Sequence, residues 1–67
     1  MNIKVNGSMI EMQSSVRTVQ DLLAFYVVSK RIIIVEHNSE IIAKEEYAKT
    51  VINDGDVFEI VQFVGGG

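Results

Sequence analysis

Sixty-seven residues, 48% hydrophobic and 22% charged, make one small domain near the size at which a single core barely offsets chain entropy. The chain is too apolar for disorder, and its six Lys and Arg are scattered among nine acids for a net charge of -3, leaving no basic stripe for nucleic acid. The longest apolar runs, Leu22 to Val28 and Ile32 to Val35, fall far short of the roughly 20 residues of a membrane-spanning helix, and no signal-peptide pattern opens the chain. Neither nucleic acid nor membrane is an expected partner, and a cytoplasmic location is expected. The absence of Cys removes disulfides and thiol chemistry. The single histidine, His37, cannot build a zinc site alone and reads as a solvated turn residue.

In Met1-Asn2-Ile3-Lys4-Val5 apolar and polar residues alternate, which predicts a half-buried strand. Asn6-Gly7 supplies the two positive-φ positions of a type I′ turn, so Ser8 to Gln13 should fold back as a second strand with Ile10 and Met12 toward the core. After the polar stretch Ser14 to Arg17, Thr18 offers a capping hydroxyl and Asp21, three residues on, suits the positive end of a helix. Val19, Leu22, Leu23, Tyr26 and Val27 then form one apolar stripe at helical spacing, which is core. Lys30 and Arg31 suit the helix C-terminus.

Ile32-Ile33-Ile34-Val35 is β-branched and too short for a helix, so it reads as a central strand buried on both faces. His37-Asn38-Ser39 turns the chain into a short strand from Glu40 to Ala43, and Lys44 to Tyr47 forms one helical turn with solvated charges. Asn53-Asp54-Gly55-Asp56 is a strong turn signal before the last strand, Val57 to Val64. There Phe58 and Ile60 share the core face with Val64, while Val57, Val61 and Phe63 share the other with Glu59.

That strand runs without a polar spacer into Gly65-Gly66-Gly67. Residues 1–64 read as the folded domain and residues 65–67 as a flexible tail, because Gly loses the most entropy on ordering. At about 3.3 Å per extended residue the tail reaches on the order of 10 Å, and without Cβ atoms it can thread a narrow channel. Gly-rich ends also arise as linkers, but a linker normally opens with Ser, Pro or charge.

Hairpin, helix, strand, short strand and final strand describe an α+β fold, a mixed sheet of four to five strands with one main helix across one face. The first and last strands should lie side by side in parallel. That is the ubiquitin-like β-grasp. The Asn6-Gly7 hairpin, the helix opening Thr18-Val19-Gln20-Asp21-Leu22-Leu23, the Asp54-Gly55-Asp56 turn and the ending Glu59-Ile60-Val61-Gln62-Phe63-Val64-Gly65-Gly66-Gly67 together resemble the ThiS family, bacterial sulfur carriers of thiamine thiazole synthesis. The resemblance covers essentially the whole chain. It departs at Asn38-Ser39, where the family usually has Asn-Gly, and at Ala43 to Tyr47.

The resemblance implies that the Gly67 carboxylate is adenylated by a separate ThiF-like enzyme using ATP and Mg²⁺, with no cofactor held permanently by this chain. Sulfur from a cysteine desulfurase would then give a C-terminal thiocarboxylate for a ThiG-like thiazole synthase. Gly65 and Gly66 would carry the terminus into the partner. Ordering three glycines costs about 3 to 6 kcal/mol, which backbone pairing offsets only in part, so a second contact surface is expected. Val61, Phe63 and Val64, beside the tail, are the candidates; the alternative for Phe63 is that it folds over the sheet edge. An independent enzyme would need a cluster of acid, base or nucleophile that is absent here. The other readings are a molybdopterin-pathway sulfur carrier, with the same terminal chemistry, and a ubiquitin-like interaction module with none.

Overall fold

The computed structural model describes residues 1–26 and 33–62, with the side chain of Ile33 left aside. Strand β1 (Asn2–Val5) and strand β2 (Ser8–Glu11) form the expected hairpin, with Asn6 at φ 50° and Gly7 at φ 85° in its turn. Both positions need the left-handed region, which Gly enters freely and Asn tolerates. Helix α1 (Val19–Tyr26) follows, then β3 (Ile33–His37), β4 (Glu40–Ile41), a single 3₁₀ turn (Lys44–Glu46) and β5 (Val57–Gln62).

The start of α1 is held by reciprocal capping. The Asp21 N–H donates to Thr18 Oγ1 (3.2 Å), while Asp21 Oδ2 accepts from the N–H groups of Arg17 (3.0 Å) and Thr18 (3.1 Å). The backbone bonds from Arg17 and Thr18 hold the Asp21 carboxyl below its usual range. The first-turn N–H groups of Val19 and Gln20 donate to the carbonyls of Thr50 and Tyr47, both at 3.0 Å. The helix entrance is thereby tied to the segment that leads into β5. Val27, Lys30, Arg31 and Ile32 lie outside the described residues.

The five strands lie in the order β2-β1-β5-β3-β4, with β1 and β5 parallel and the other pairs antiparallel. The last strand in sequence is thus the middle strand of the sheet. Between sheet and helix lies a core of Ile3, Val5, Met12, Val16, Val19, Leu22, Leu23, Val35, Ile52, Phe58 and Ile60, with Ile10 and Tyr26 packed against it half-buried. Val19, Leu22 and Leu23 of the helix stripe are therefore core as expected, and Phe58 and Ile60 face inward as the alternation of β5 requires.

The sequence reading is corrected at three places. Strand β3 is flanked by β5 and β4 but is not buried on both faces, since Ile34 is exposed while Val35 is fully buried. One helix layer covers one side only, so a β-branched run on β3 must leave alternate residues on the open side. Strand β4 is two residues long, with Ile41 exposed and Ile42 half-buried beyond its end. His37 is the last residue of β3, its ring stacked on Phe58 at 4.8 Å between centroids, and is not a solvated turn residue.

Candidate functional site

Because β5 runs parallel to β1 in the middle of the sheet, its end leaves the domain beside the Asn6-Gly7 turn. Lys4 pairs with Val57 and Val5 with Phe58, after which the backbone of β1 turns away. On the other side β3 accompanies β5 through the pairs Ile34–Val61 and Ile33–Gln62. The strand that precedes the glycine run is therefore anchored by its neighbours up to Gln62.

The side-chain amide of Asn6 takes over where the β1 backbone stops. Its Oδ1 accepts from the Ile60 N–H (2.7 Å) and its Nδ2 donates to the Ile60 carbonyl (3.2 Å). At the other end of β5, Asn38 does similar work: its Oδ1 accepts from the Val57 N–H (2.9 Å) and its Nδ2 donates to Asp56 Oδ1 (3.2 Å). Asp56 is buried, and its Oδ2 accepts from the Asn53 N–H (2.9 Å) and from His37 Nε2 (2.7 Å). Burial pushes its carboxyl upward, but the bonds from Asn53, His37 and Asn38 outweigh that and leave it below the ordinary aspartate value. A carboxylate so satisfied is a structural anchor for the start of β5.

Three rows of the sheet's open face run from the start of β5 toward its exit. Met9, Lys4 and Val57 lie across β2, β1 and β5; Glu59, Glu36 and Ile41 lie across β5, β3 and β4; Val61 and Ile34 lie across β5 and β3. Val61 is 49% exposed and Ile34 36%, so the row nearest the exit is apolar and accessible. Of the residues expected to form the site, Val61 is thus where the strand alternation puts it. Phe63, Val64, Gly65, Gly66 and Gly67 lie outside the described residues. Ile34 joins Val61 on the open face, although its apolar run reads as buried in the sequence; the signal that finds it is the odd-even parity with Val35 once the sheet is known to be covered on one side.

Two other openings are less suited to the site. A cavity of about 450 Å³ lined by Met1, Val16, Thr18, Val51 and Ile52 lies at the beginning of β1, the pole opposite the exit of β5. A more polar one of about 360 Å³ lies beside His37, Glu40 and Glu46. Among the described residues no three His, Asp or Glu side chains come together as a metal-binding group, and no described helix is long and apolar enough to cross a membrane.

A five-stranded mixed sheet crossed by one helix, whose middle strand is the one that precedes the glycine run in sequence, defines a ubiquitin-like β-grasp protein. The ThiS family model matches residues 2–67. The chain is 48% identical over 65 residues to the sulfur carrier protein ThiS of Bacillus subtilis, covering 97% of this chain and 98% of that protein. The crystal structure of the thiamine biosynthesis protein ThiS from Geobacter metallireducens superposes with a TM-score of 0.81 at 35% identity, each chain covered in full. A solution structure of a thiamine biosynthesis protein from the same organism gives 0.82 at 33% identity, covering 100% of this chain and 88% of that one. This chain belongs to the ThiS family, a family of small sulfur carriers of thiamine biosynthesis. It is also 43% identical over all 67 of its residues to a thiazole synthase of Paramagnetospirillum magneticum, of which it spans 20%.

Proposed function

We propose that this chain carries sulfur for thiazole formation as a thiocarboxylate on Gly67, delivered to partner enzymes by a rigid β-grasp body. The observation that supports this best is the course of β5, a central strand bonded on both sides whose sequence continues into Gly65-Gly66-Gly67. A strand so anchored gives a defined origin to a terminus that must reach into another protein. The likeness of the whole chain to part of a thiazole synthase favours thiamine over molybdopterin chemistry, since it links this domain to that consumer of sulfur.

A carboxylate is inert toward sulfur nucleophiles at neutral pH and has to be activated first. A Gly67 oxygen attacks the α-phosphorus of ATP on a ThiF-like enzyme, the bond to the β-phosphate side breaks, and pyrophosphate leaves. Mg²⁺ and cationic side chains of that enzyme hold the developing charge. A persulfide sulfur, supplied through a cysteine desulfurase, attacks the acyl carbon and expels AMP. A thiol then supplies the two electrons that cleave the S–S bond and leave the thiocarboxylate. In this scheme the chain is a protein co-substrate, and its own residues bind and position. Val61 and Ile34 on the open face dock beside the channel, with Phe63 and Val64 of the following segment as further candidates for contact, and Gly65 and Gly66 offer only backbone to its walls.

ATP–pyrophosphate exchange by the activating enzyme tests this reading. Exchange should require this chain and vanish when one residue is added after Gly67, because in-line attack tolerates little displacement. Val61→Asp should raise the KM for the chain about tenfold while the domain stays folded, since a charge in an apolar contact is poorly compensated. Undiminished exchange with the extended chain would remove terminal activation from the account.

A further inference from the structure

The parallel pairing of β1 with β5 advances by regular rungs: the Lys4 N–H donates to the Asp56 carbonyl and the Asn6 N–H to the Phe58 carbonyl, both at 2.9 Å. A continued ladder would next bond the Ile60 N–H to the Asn6 carbonyl and the Ile60 carbonyl to an N–H two residues further along β1. The chain has already turned by then, with Asn6 at φ 50° and Gly7 at φ 85°. The Asn6 side chain supplies both missing partners, Oδ1 in place of the carbonyl at 2.7 Å and Nδ2 in place of the N–H at 3.2 Å. Asn can do this because its amide has the donor and acceptor pattern of a peptide group.

From this we infer that Asn6 is a positioning residue for the terminal reaction: its side-chain amide acts as one surrogate residue of β1 and fixes the path of β5 at Ile60, two residues before the last described position. The inference rests on the carrier reading of Gly67. Its physical content is a division of labour within one residue. The backbone of Asn6 makes the hairpin turn, and Gly in its place would make that turn equally well. The amide is needed for something else, the straightness and register of the strand that aims the tail. The side chains of Val61 and Ile34 are not partners in either bond of this rung, so loss of the amide should spare docking and impair alignment.

Asn6→Gly keeps the turn and removes the amide. With the activating enzyme, ATP and Mg²⁺, the expected result is a kcat for adenylation lowered about tenfold with KM within about twofold of wild type, because misplacing a reacting group by about 1 Å costs on the order of a hundredfold and a loosened strand only samples such displacements. Amide exchange at Ile60 should accelerate in the same variant. Asn6→Asp, which keeps the acceptor for the Ile60 N–H but loses the donor and still tolerates positive φ, should recover part of the kcat. If Asn6→Gly fails to fold, Asn6→Asp decides the matter, since a wild-type kcat there overturns the inference and a reduced kcat at unchanged KM supports it. A folded Asn6→Gly with wild-type kcat overturns the role of Asn6 and leaves the carrier reading standing. If the wild-type chain itself is never adenylated, the carrier reading falls and takes this inference with it.

Discussion

Two asparagines in two hairpin turns invite comparison. Asn6 and Asn38 both sit at φ 50°, each begins a two-residue reversal, and each sends its side-chain amide to β5, Asn6 near the exit at Ile60 and Asn38 at the entrance at Val57. They differ in what stands behind them. Asn38 is backed by the buried Asp56 and by His37 stacked on Phe58, a satisfied polar cluster fused to the core. Asn6 works alone on a part-buried site and is followed by Gly7, whereas Asn38 is followed by Ser39 at φ 74°. The entrance of β5 is thus built for stability at the cost of a strained turn residue, and the exit is built with an unstrained turn and a lighter clasp. The middle strand is thus fixed at one end and guided at the other.

The largest effect expected from breaking this contrast is on the entrance. Asp56→Ala removes the acceptor for the Asn53 N–H, His37 and Asn38 together, and should lower stability by about 2 to 4 kcal/mol, on the order of 10 to 20 °C in Tm for a domain of this size. The same variant should change the acid limb of the stability curve. An unfolded aspartate binds its proton near pH 3.9, and folded Asp56 binds it at lower pH. Between the two the unfolded chain holds more protons, so stability rises with pH; the contribution is fully present above the unfolded value and is lost as pH falls through the folded one. Urea melts from pH 2 to pH 6 in steps of about one unit should show a shallower limb in Asp56→Ala, in which Asp21, whose carboxyl is also held low, still contributes. A limb of unchanged slope would show that Asp56 is not the anchor described.

A smaller effect sharpens the contrast from the other side. Ser39 occupies a left-handed position that the Cβ of an L-residue disfavours. Ser39→Gly would give the second turn the same chemistry as the first, and should stabilise by about 1 kcal/mol, raising Tm by about 4 to 8 °C. Thermal melts of the two chains check this directly. A lower Tm for Ser39→Gly would mean that the serine contributes a contact worth more than its backbone strain.

The same comparison shows what could be read in the chain before its fold was known. Backbone demands were legible because they are local: Asn6-Gly7 for a turn, Thr18 with Asp21 for a helix start, Val19, Leu22 and Leu23 for its buried stripe, and the alternation that turns Phe58 and Ile60 inward and Val61 outward. Long-range demands were not. That the Asn6 amide meets Ile60 follows only once β1 and β5 are neighbours, 54 residues apart in sequence. His37 reads as a turn residue because nothing near it in sequence announces Asp56 or Phe58, which arrive 19 and 21 positions later. Ile34 looks buried in an apolar run, and its exposure depends on the sheet having a single covered face. For the candidate site, Val61 and the glycine ending are local features and the clasps on β5 are not.

The central claim is that Gly67 carries the sulfur, and the mass of the intact chain tests it most directly. After incubation with its activating enzyme, ATP, Mg²⁺, a cysteine desulfurase, cysteine and a thiol reductant, the chain should gain the mass difference of sulfur replacing oxygen, and fragmentation should place the change on Gly67. A terminus that stays an unmodified carboxylate with active cognate enzymes would contradict the account and leave a β-grasp interaction module in its place.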